Sequence, residues 1–297
     1  MKKFILLPLT ALMIFASSCN DDETTDVDPA GDVDPVEESQ TATLRLRMEH
    51  VFNGEPLNLD EDFITEDGDT IEVEELKYFL SNISFADNEG NEMYVKDSYH
   101  LMELGEESHI TIRDIEGLEP GIFTSFNVSV GVDEEANHTV ENARGDLSPA
   151  GSDGMIWTWR TGYKFIKFEG HYHENGEEED FLYHLGTDQN FKTFNFNGIL
   201  SEEQEGVSSA RVAHSEGEDE EGELFISVEA NKVTEIHLMV DVSELFKSPT
   251  SVDISTMNNI AGGNPAESVA LMDNIEYSDY PGRNGWFELH HVITFEE

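Results

Sequence analysis

The chain is 297 residues long and carries 64 acidic against 16 basic side chains, a formal net charge of −48 at pH 7. Such a polyanion is repelled by nucleic acid, which excludes DNA and RNA as partners. The same field raises the local cation concentration, which helps metal capture without selecting any one metal.

The first elements in chain order concern targeting. Met1-Lys2-Lys3 is a short basic start, Phe4 to Ala16 is apolar, and Ser17-Ser18-Cys19 closes the stretch with small residues. This predicts a secretory signal peptide over residues 1–18, too short to span a bilayer stably. Cys19 is the only cysteine, and at this position it reads as a lipobox residue, acylated and forming the mature N-terminus. The plainer alternative is an ordinary signal peptide with an incidental cysteine. With Cys19 consumed by lipid there is no disulfide framework, so the fold has to rest on its own core. Residues 19–40 are rich in Asp, Thr, Pro and Glu and contain the echo Val27-Asp28-Pro29 and Val33-Asp34-Pro35. So polar a stretch buries too little apolar surface to fold and predicts a disordered acidic tether.

From residue 41 onward the chain alternates, and no later segment is apolar enough to cross a bilayer. Leu44, Leu46 and Met48 share one face, with Arg45 and Arg47 on the other, the period-2 mark of a half-buried strand. Leu76 to Phe85, the turn Asp87-Asn88-Glu89-Gly90 and Met93-Tyr94-Val95 predict a hairpin. Phe126, Val128 and Val130 alternate with Asn127 and Ser129, while Leu224 to Val228 and Ile236 to Val242 read as further strands. Glu216 to Glu223 reads as a solvated loop, and only Ser243 to Lys247 resembles the start of a short helix. The expectation is an all-β class: one β-sandwich or barrel-like domain over 41–297.

One hairpin can be specified by register. Phe165 to Gly170 leads into a turn at Asn175-Gly176, a pair favoured in tight hairpins, and Phe181 to Leu185 returns. Lys167 then faces His184, Glu169 faces Leu182 and His171 faces Asp180. Ile166, Phe168, Tyr172, Phe181, Tyr183 and Leu185 share the apolar face. The acidic run Glu177 to Asp180 leaves a longer turn open as an alternative.

Just upstream stands Gly154-Met155-Ile156-Trp157-Thr158-Trp159-Arg160-Thr161-Gly162-Tyr163-Lys164-Phe165. In an extended strand Trp157 and Trp159 project to one face and form an aromatic patch; burial in a sheet core is the plainer reading of such residues. The 11 histidines are many for so acidic a chain, and imidazole ligates copper, zinc and nickel. His171 and His173 share a strand face, but His184 lies about 13 Å along the partner strand, too far to share an ion with His171. His50, His100, His184 and His237 sit in strands or strand ends, where a hydrogen-bonded structural role is the common alternative. His290 and His291 are adjacent, so regular alternation turns at most one of them toward a given site. No thiolate remains for a blue-copper or Cys-rich zinc centre, and no phosphate loop, Gly-x-Ser-x-Gly elbow or His-Glu-x-x-His helix occurs. Nothing in the sequence reads as catalytic, and the expectation is a binding protein, not an enzyme.

Several motifs in order carry a resemblance. They are His50-Val51-Phe52-Asn53-Gly54-Glu55-Pro56-Leu57, Tyr78-Phe79-Leu80-Ser81-Asn82-Ile83, Ser98-Tyr99-His100-Leu101 and Gly131-Val132-Asp133. The Leu147 to Gly170 block, Tyr183-His184-Leu185-Gly186 and Ile236-His237-Leu238 to Phe246 follow. Together they resemble the MbnP family, copper-binding lipoproteins and secreted proteins related to MopE and CorA of methane-oxidising bacteria, in its Bacteroidota type. Gly186-Thr187 departs from the Gly-Gly common in that family, and the tail after Met257 matches poorly. The resemblance implies copper held by histidines and by a tryptophan oxidised to kynurenine, with a dihaem peroxidase-like partner as the oxidant. Indole nitrogen is a donor only; opening the ring creates an aniline-type nitrogen that can ligate. Trp157 or Trp159 matches that tryptophan, and His50, His184 and His237, in family-matched strands, are the expected ligand set. Asn20-Asp21-Asp22-Glu23 after Cys19 resembles the acidic export signal of Bacteroidota lipoproteins, which implies the outer membrane, facing the cell surface, with the periplasmic face as the alternative. A surface glycan- or peptide-binding module is the rival reading, and a calcium-dependent adhesion domain a third.

Overall fold

Leu44, Leu46, Met48 and His50 of the first strand are buried, while Arg45, Arg47 and Glu49 between them are half-exposed, the face segregation its alternation predicts. The structure is a computed structural model and describes residues 40–174, 176–197, 199–204, 207–212, 226–261, 265–277 and 285–296. The expected signal peptide, Cys19, nearly all of the expected tether and the expected loop over residues 216–223 lie outside the described residues. Gln40–Glu297 form one compact unit.

The strands are β1 (Ala42–Phe52), β2 (Glu55–Pro56), β3 (Asp62–Ile64), β4 (Thr70–Ala86), β5 (Glu92–Tyr94) and β6 (Tyr99–Glu103). β7 (Ile110–Leu118), β8 (Gly121–Phe123) and β9 (Ser125–Val130) precede a one-turn helix α1 (Glu134–Asn137). After it come β10 (Ile166–Glu174), β11 (Glu177–Leu185), β12 (Lys192–Asn197), β13 (Ile199–Gln204), β14 (Val207–Val212), β15 (Ile226–Val228) and β16 (Val233–Asp241). β17 (Asn259–Ala261), helix α2 (Pro265–Glu276) and β18 (Phe287–Phe295) complete the chain. Among the described residues a seven-stranded sheet runs β13-β14-β18-β16-β1-β2 with β7 also on β1. A nine-stranded sheet runs β12-β9-β4-β10-β11-β17, with β3, β5 and β6 on β4. The all-β expectation holds.

The two sheets bury their inner faces in one core. Leu44, Leu46 and Met48 of β1, with Ile236, Leu238 and Val240 of β16, belong to the same buried cluster as Leu76, Tyr78, Ile166, Phe168, Phe181 and Tyr183 of the larger sheet. The 165–185 hairpin has the predicted register: Lys167 pairs with His184, Glu169 with Leu182 and His171 with Asp180. Glu174 pairs with Glu177, so the acidic run belongs to the strand and does not lengthen the turn. Asn175 itself lies outside the described residues. The β4–β5 hairpin also forms, with Ala86 opposite Glu92, and Asp87 closes its turn by accepting the N–H groups of Glu89 and Asn91 at 2.8 Å each.

Three expectations are corrected. Residues Trp157 to Gly162 are not in a strand; they form a loop closed by a bridge between Ile156 and Tyr163. Ser243 to Lys247 is a 3-10 turn over Val242–Phe246, started by Asp241, whose carboxylate accepts the N–H of Ser243 at 3.1 Å. Helix α2, unforeseen, buries Ser268, Leu271, Met272 and Ile275, the i, i+3, i+4, i+7 spacing of one helix face.

Phe168 contacts Phe181, Tyr183 and Phe246, with ring centroids 5.1–6.2 Å apart. Phe168→Ala is expected to cost about 3–5 kcal/mol, read as a lower urea midpoint with an unchanged slope. A loss under about 1 kcal/mol would place this ring outside the principal core.

Candidate functional site

The Trp157–Tyr163 loop rests on the outer face of the nine-stranded sheet, above a small second core of Phe79, Val132, Leu147, Met155, Tyr163 and Phe165. Its ends are tied by the N–H of Trp157 to the carbonyl of Gly162 at 3.1 Å and the N–H of Lys164 to that of Met155 at 2.6 Å. Gly162 has φ +105°, and a Cβ there would stand 2.5 Å from Oδ1 of Asn137. That oxygen accepts the N–H of Tyr163 at 2.8 Å, so the Gly-Tyr pair is required by a close backbone approach.

The two tryptophans touch but are not equivalent. Their ring centroids are 5.5 Å apart in an edge arrangement; Trp157 is 5 % exposed and Trp159 is 60 % exposed. The indole N–H of Trp157 donates to the carbonyl of Tyr163 at 2.8 Å. Lys164 Nζ lies 5.7 Å from the Trp157 ring centre, and the Arg160 guanidinium 6.0 Å from Trp157 and 5.7 Å from Trp159. Such cation–π contacts hold the loop.

His184, on β11, meets the Trp157 ring edge-on at 6.1 Å. Its Nε2 pairs with Glu169 of β10. Burial lowers its pKa, the hydrogen bond to Glu169 opposes that shift and Lys164 adds to it. The net shift is toward the neutral imidazole, the form that ligates a metal. Beneath it, Lys77 is bound by Asp153, Glu75 and Glu103, and Lys167 by Glu75. Burial alone would lower the Lys77 pKa, but the three carboxylates hold it above the usual lysine range. The Lys77–Asp153 pair ties the segment before the tryptophans to the sheet.

The other two expected ligands stand elsewhere, so His50, His184 and His237 do not form one site. His50 points into the core between the sheets. Its Nδ1–H donates to the carbonyl of His109 at 3.0 Å, which leaves Nε2 to accept the Tyr78 hydroxyl at 3.0 Å. Both nitrogens are used, and burial lowers its pKa to about 4. This is a structural histidine. His237 pairs with Arg47 in the β1–β16 register, which puts it on the outer face of the seven-stranded sheet, opposite to His50. There it meets His290 and His291, which sequence alternation had separated. Its pKa falls to about 4, chiefly through burial and then through His291. His171 is engaged by Glu74 at 3.1 Å and Asp180 at 3.0 Å, away from all of these.

A family model described as MbnP matches residues 41–261. Among solved structures, the chain is similar to MbnP from Methylosinus trichosporium at 14 % identity, covering 84 % of this chain and 99 % of that one with a TM-score of 0.44. Comparison with curated proteins gives no match.

His50 supplies a pH prediction. An unfolded histidine titrates near 6.5 whereas folded His50 titrates at about 4. The unfolded chain thus binds the proton first, and stability is full above pH ~6.5 and falls as pH drops toward ~4. This group contributes a loss of about 3 kcal/mol across that window. Urea unfolding of His50→Gln is expected to show a shallower dependence there; an identical slope would mean that His50 is not buried neutral.

Proposed function

Because the chain belongs to the MbnP family, we propose that it is a lipid-anchored copper-binding protein of the cell envelope, serving copper uptake or sequestration and not catalysis. The observation that carries this reading is the edge contact of Trp157 with His184 at 6.1 Å, inside the loop that matches the family's tryptophan motif. Imidazole suits copper. With Nε2 of His184 occupied by Glu169, Nδ1 is the atom left to ligate. Glu169 is then the carboxylate that orients the ring.

Trp157 as an indole cannot ligate, since its one nitrogen carries a hydrogen that Tyr163 accepts. Oxidised to kynurenine, as the family resemblance implies, the same residue would offer an arylamine beside His184. The residues at the loop fit copper in that form. The oxidant in this proposal is a dihaem peroxidase-like partner, and the exposed Trp159, with the half-buried Arg160 beside it, marks the side from which it would approach. Anchoring through Cys19 would hold the protein to the outer membrane, at the cell surface in the preferred reading and at the periplasmic face in the alternative. A surface glycan- or peptide-binding role is the second reading, favoured by the 60 % exposure of Trp159.

Protein purified from its native host is expected to bind copper and to show, by mass spectrometry, the Trp157 side chain converted to kynurenine, one oxygen gained and one carbon lost as formate. His184→Ala should weaken copper binding by about tenfold or more, ~1.4 kcal/mol, while His50→Gln should not. Unmodified tryptophans together with unchanged copper affinity in His184→Ala would sink the copper reading, and retention on polysaccharide that is lost in Trp159→Ala would then establish the second.

Cys19 supplies a separate test. One acyl chain anchors marginally and several anchor firmly, so the multiply acylated parent should fractionate with membranes and Cys19→Ser should not. A Cys19→Ser protein processed and membrane-bound like the parent would remove the lipoprotein reading.

A further inference from the structure

His290 and His291 are neighbours in sequence, yet both lie on the outer face of the seven-stranded sheet. The cause is a register shift in the β16–β18 pairing. His237 is opposite His291 while the next residue, Leu238, is opposite Leu289, so His290 is the extra residue of a β-bulge. Without the bulge, strict alternation would send His290 inward and turn Leu289 out; with it, Leu289 and Val292 both face the core and two imidazoles face outward together. Bulges re-aim side chains in this way and are frequent beside functional sites.

The three rings close on one another, with centroids 5.0 Å (His237–His290), 4.7 Å (His237–His291) and 5.3 Å (His290–His291) apart. The Nδ1 atoms of His290 and His291 are 3.1 Å apart, and one nitrogen from each ring falls in a set within 4.8 Å. Two nitrogens on one tetrahedral ion with bonds near 2.0–2.1 Å are about 3.3 Å apart; the His290–His291 pair already meets that spacing at 3.1 Å, and His237 would close on it by at most about 1.5 Å from the 4.8 Å limit of the set. A second observation points to a ligand. His237 is 5 % exposed, and neither of its ring nitrogens has a hydrogen-bond partner. Glu49 Oε2 comes within 2.8 Å of its Nε2 but off the hydrogen-bonding direction. A buried imidazole left in this state is destabilising unless something else engages it.

We propose that His237, His290 and His291 form a metal site, separate from the Trp157–His184 loop, that takes a borderline divalent transition ion of the Zn²⁺ or Cu²⁺ class. Three imidazoles without a thiolate suit such ions. Glu49 beside His237, and Glu235 with Oε1 3.9 Å from Nε2 of His291, are the carboxylates that orient ligating rings. They also offset the positive charge of Arg47, the register partner of His237. The other group with ligand-like spacing among the described residues, Glu134, His138 and Asp188, is wholly exposed, and its imidazole is already paired with Asp188 at 2.9 Å. His290 and His291 lie beyond the family match, which ends at residue 261. The site does not depend on the copper reading above.

The probe is Zn²⁺, titrated into the full chain after chelator treatment, in competition with a chromophoric chelator to suppress weak binding by the acidic surface. One tight Zn²⁺ is expected, weakened in His290→Ala and in His291→Ala by more than the ~10–100-fold that loss of an outer-shell partner costs, and unchanged in His184→Ala. His290 is exposed, so its variant should fold as the parent does. Co²⁺ in place of Zn²⁺ should give the visible absorption of a tetrahedral nitrogen site in the parent and lose it in His290→Ala. Equal Zn²⁺ affinity in parent and His290→Ala/His291→Ala, no tight Zn²⁺ in the parent, or loss of Zn²⁺ in His184→Ala would each overturn the proposal.

Discussion

The hydrogen bond from the Tyr78 hydroxyl to Nε2 of His50, 3.0 Å long and wholly buried, is a polar joint between the two sheets. Tyr78 belongs to β4 of the larger sheet and His50 to β1 of the smaller. Trp286 packs on the Tyr78 ring at 5.1 Å, bringing the approach to β18 into the same contact. Burying a hydroxyl and an imidazole is unfavourable unless both are satisfied. Here each is, because the His109 carbonyl fixes the imidazole tautomer. The joint therefore admits one relative placement of the two inner faces, and the outer faces inherit their positions from it.

Chemistry is confined to those outer faces. The larger sheet presents Lys77, Lys167, Glu75, Glu169 and His184 beneath the tryptophan loop. The smaller presents Glu49, Glu235 and His237 beside His290 and His291. In a chain with a net charge of −48, the gathering of Lys77, Lys164, Lys167 and Arg160 around one loop is a local reversal of sign. Lys77 and Lys167 are neutralised by carboxylates, while Arg160 and Lys164 lie over indole faces. The loop is thus held by ion pairs and cation–π contacts in a region where regular strand hydrogen bonding has ended.

Much of the fold was legible because strands declare themselves by alternation. The 165–185 hairpin register followed from the Asn175-Gly176 turn, with the apolar set Ile166, Phe168, Tyr172, Phe181, Tyr183 and Leu185 ruling out a one-residue slip, which would split it between two faces. Helix α2 was equally legible in principle through Ser268, Leu271, Met272 and Ile275, but its short apolar stripe stood in a tail without other landmarks. The tryptophan pair misled for a physical reason. The i, i+2 rule assumes extended backbone, whereas Gly162 at positive φ turns the chain back, burying one indole and exposing the other.

What the sequence determined by itself was whatever depends on neighbours along the chain: the β class, the strand faces, the hairpin turn and the motif order that marks the family. Tertiary structure alone decided which histidines meet. His50 and His237 share paired strands but face opposite ways, because Arg47, the register partner of His237, and His50 are three residues apart. His290 and His291, which alternation separates, are united by one extra residue in β18. A bulge leaves no local signature in composition or period; it exists only in the register between two strands, and that register is set by which side chains the core accepts.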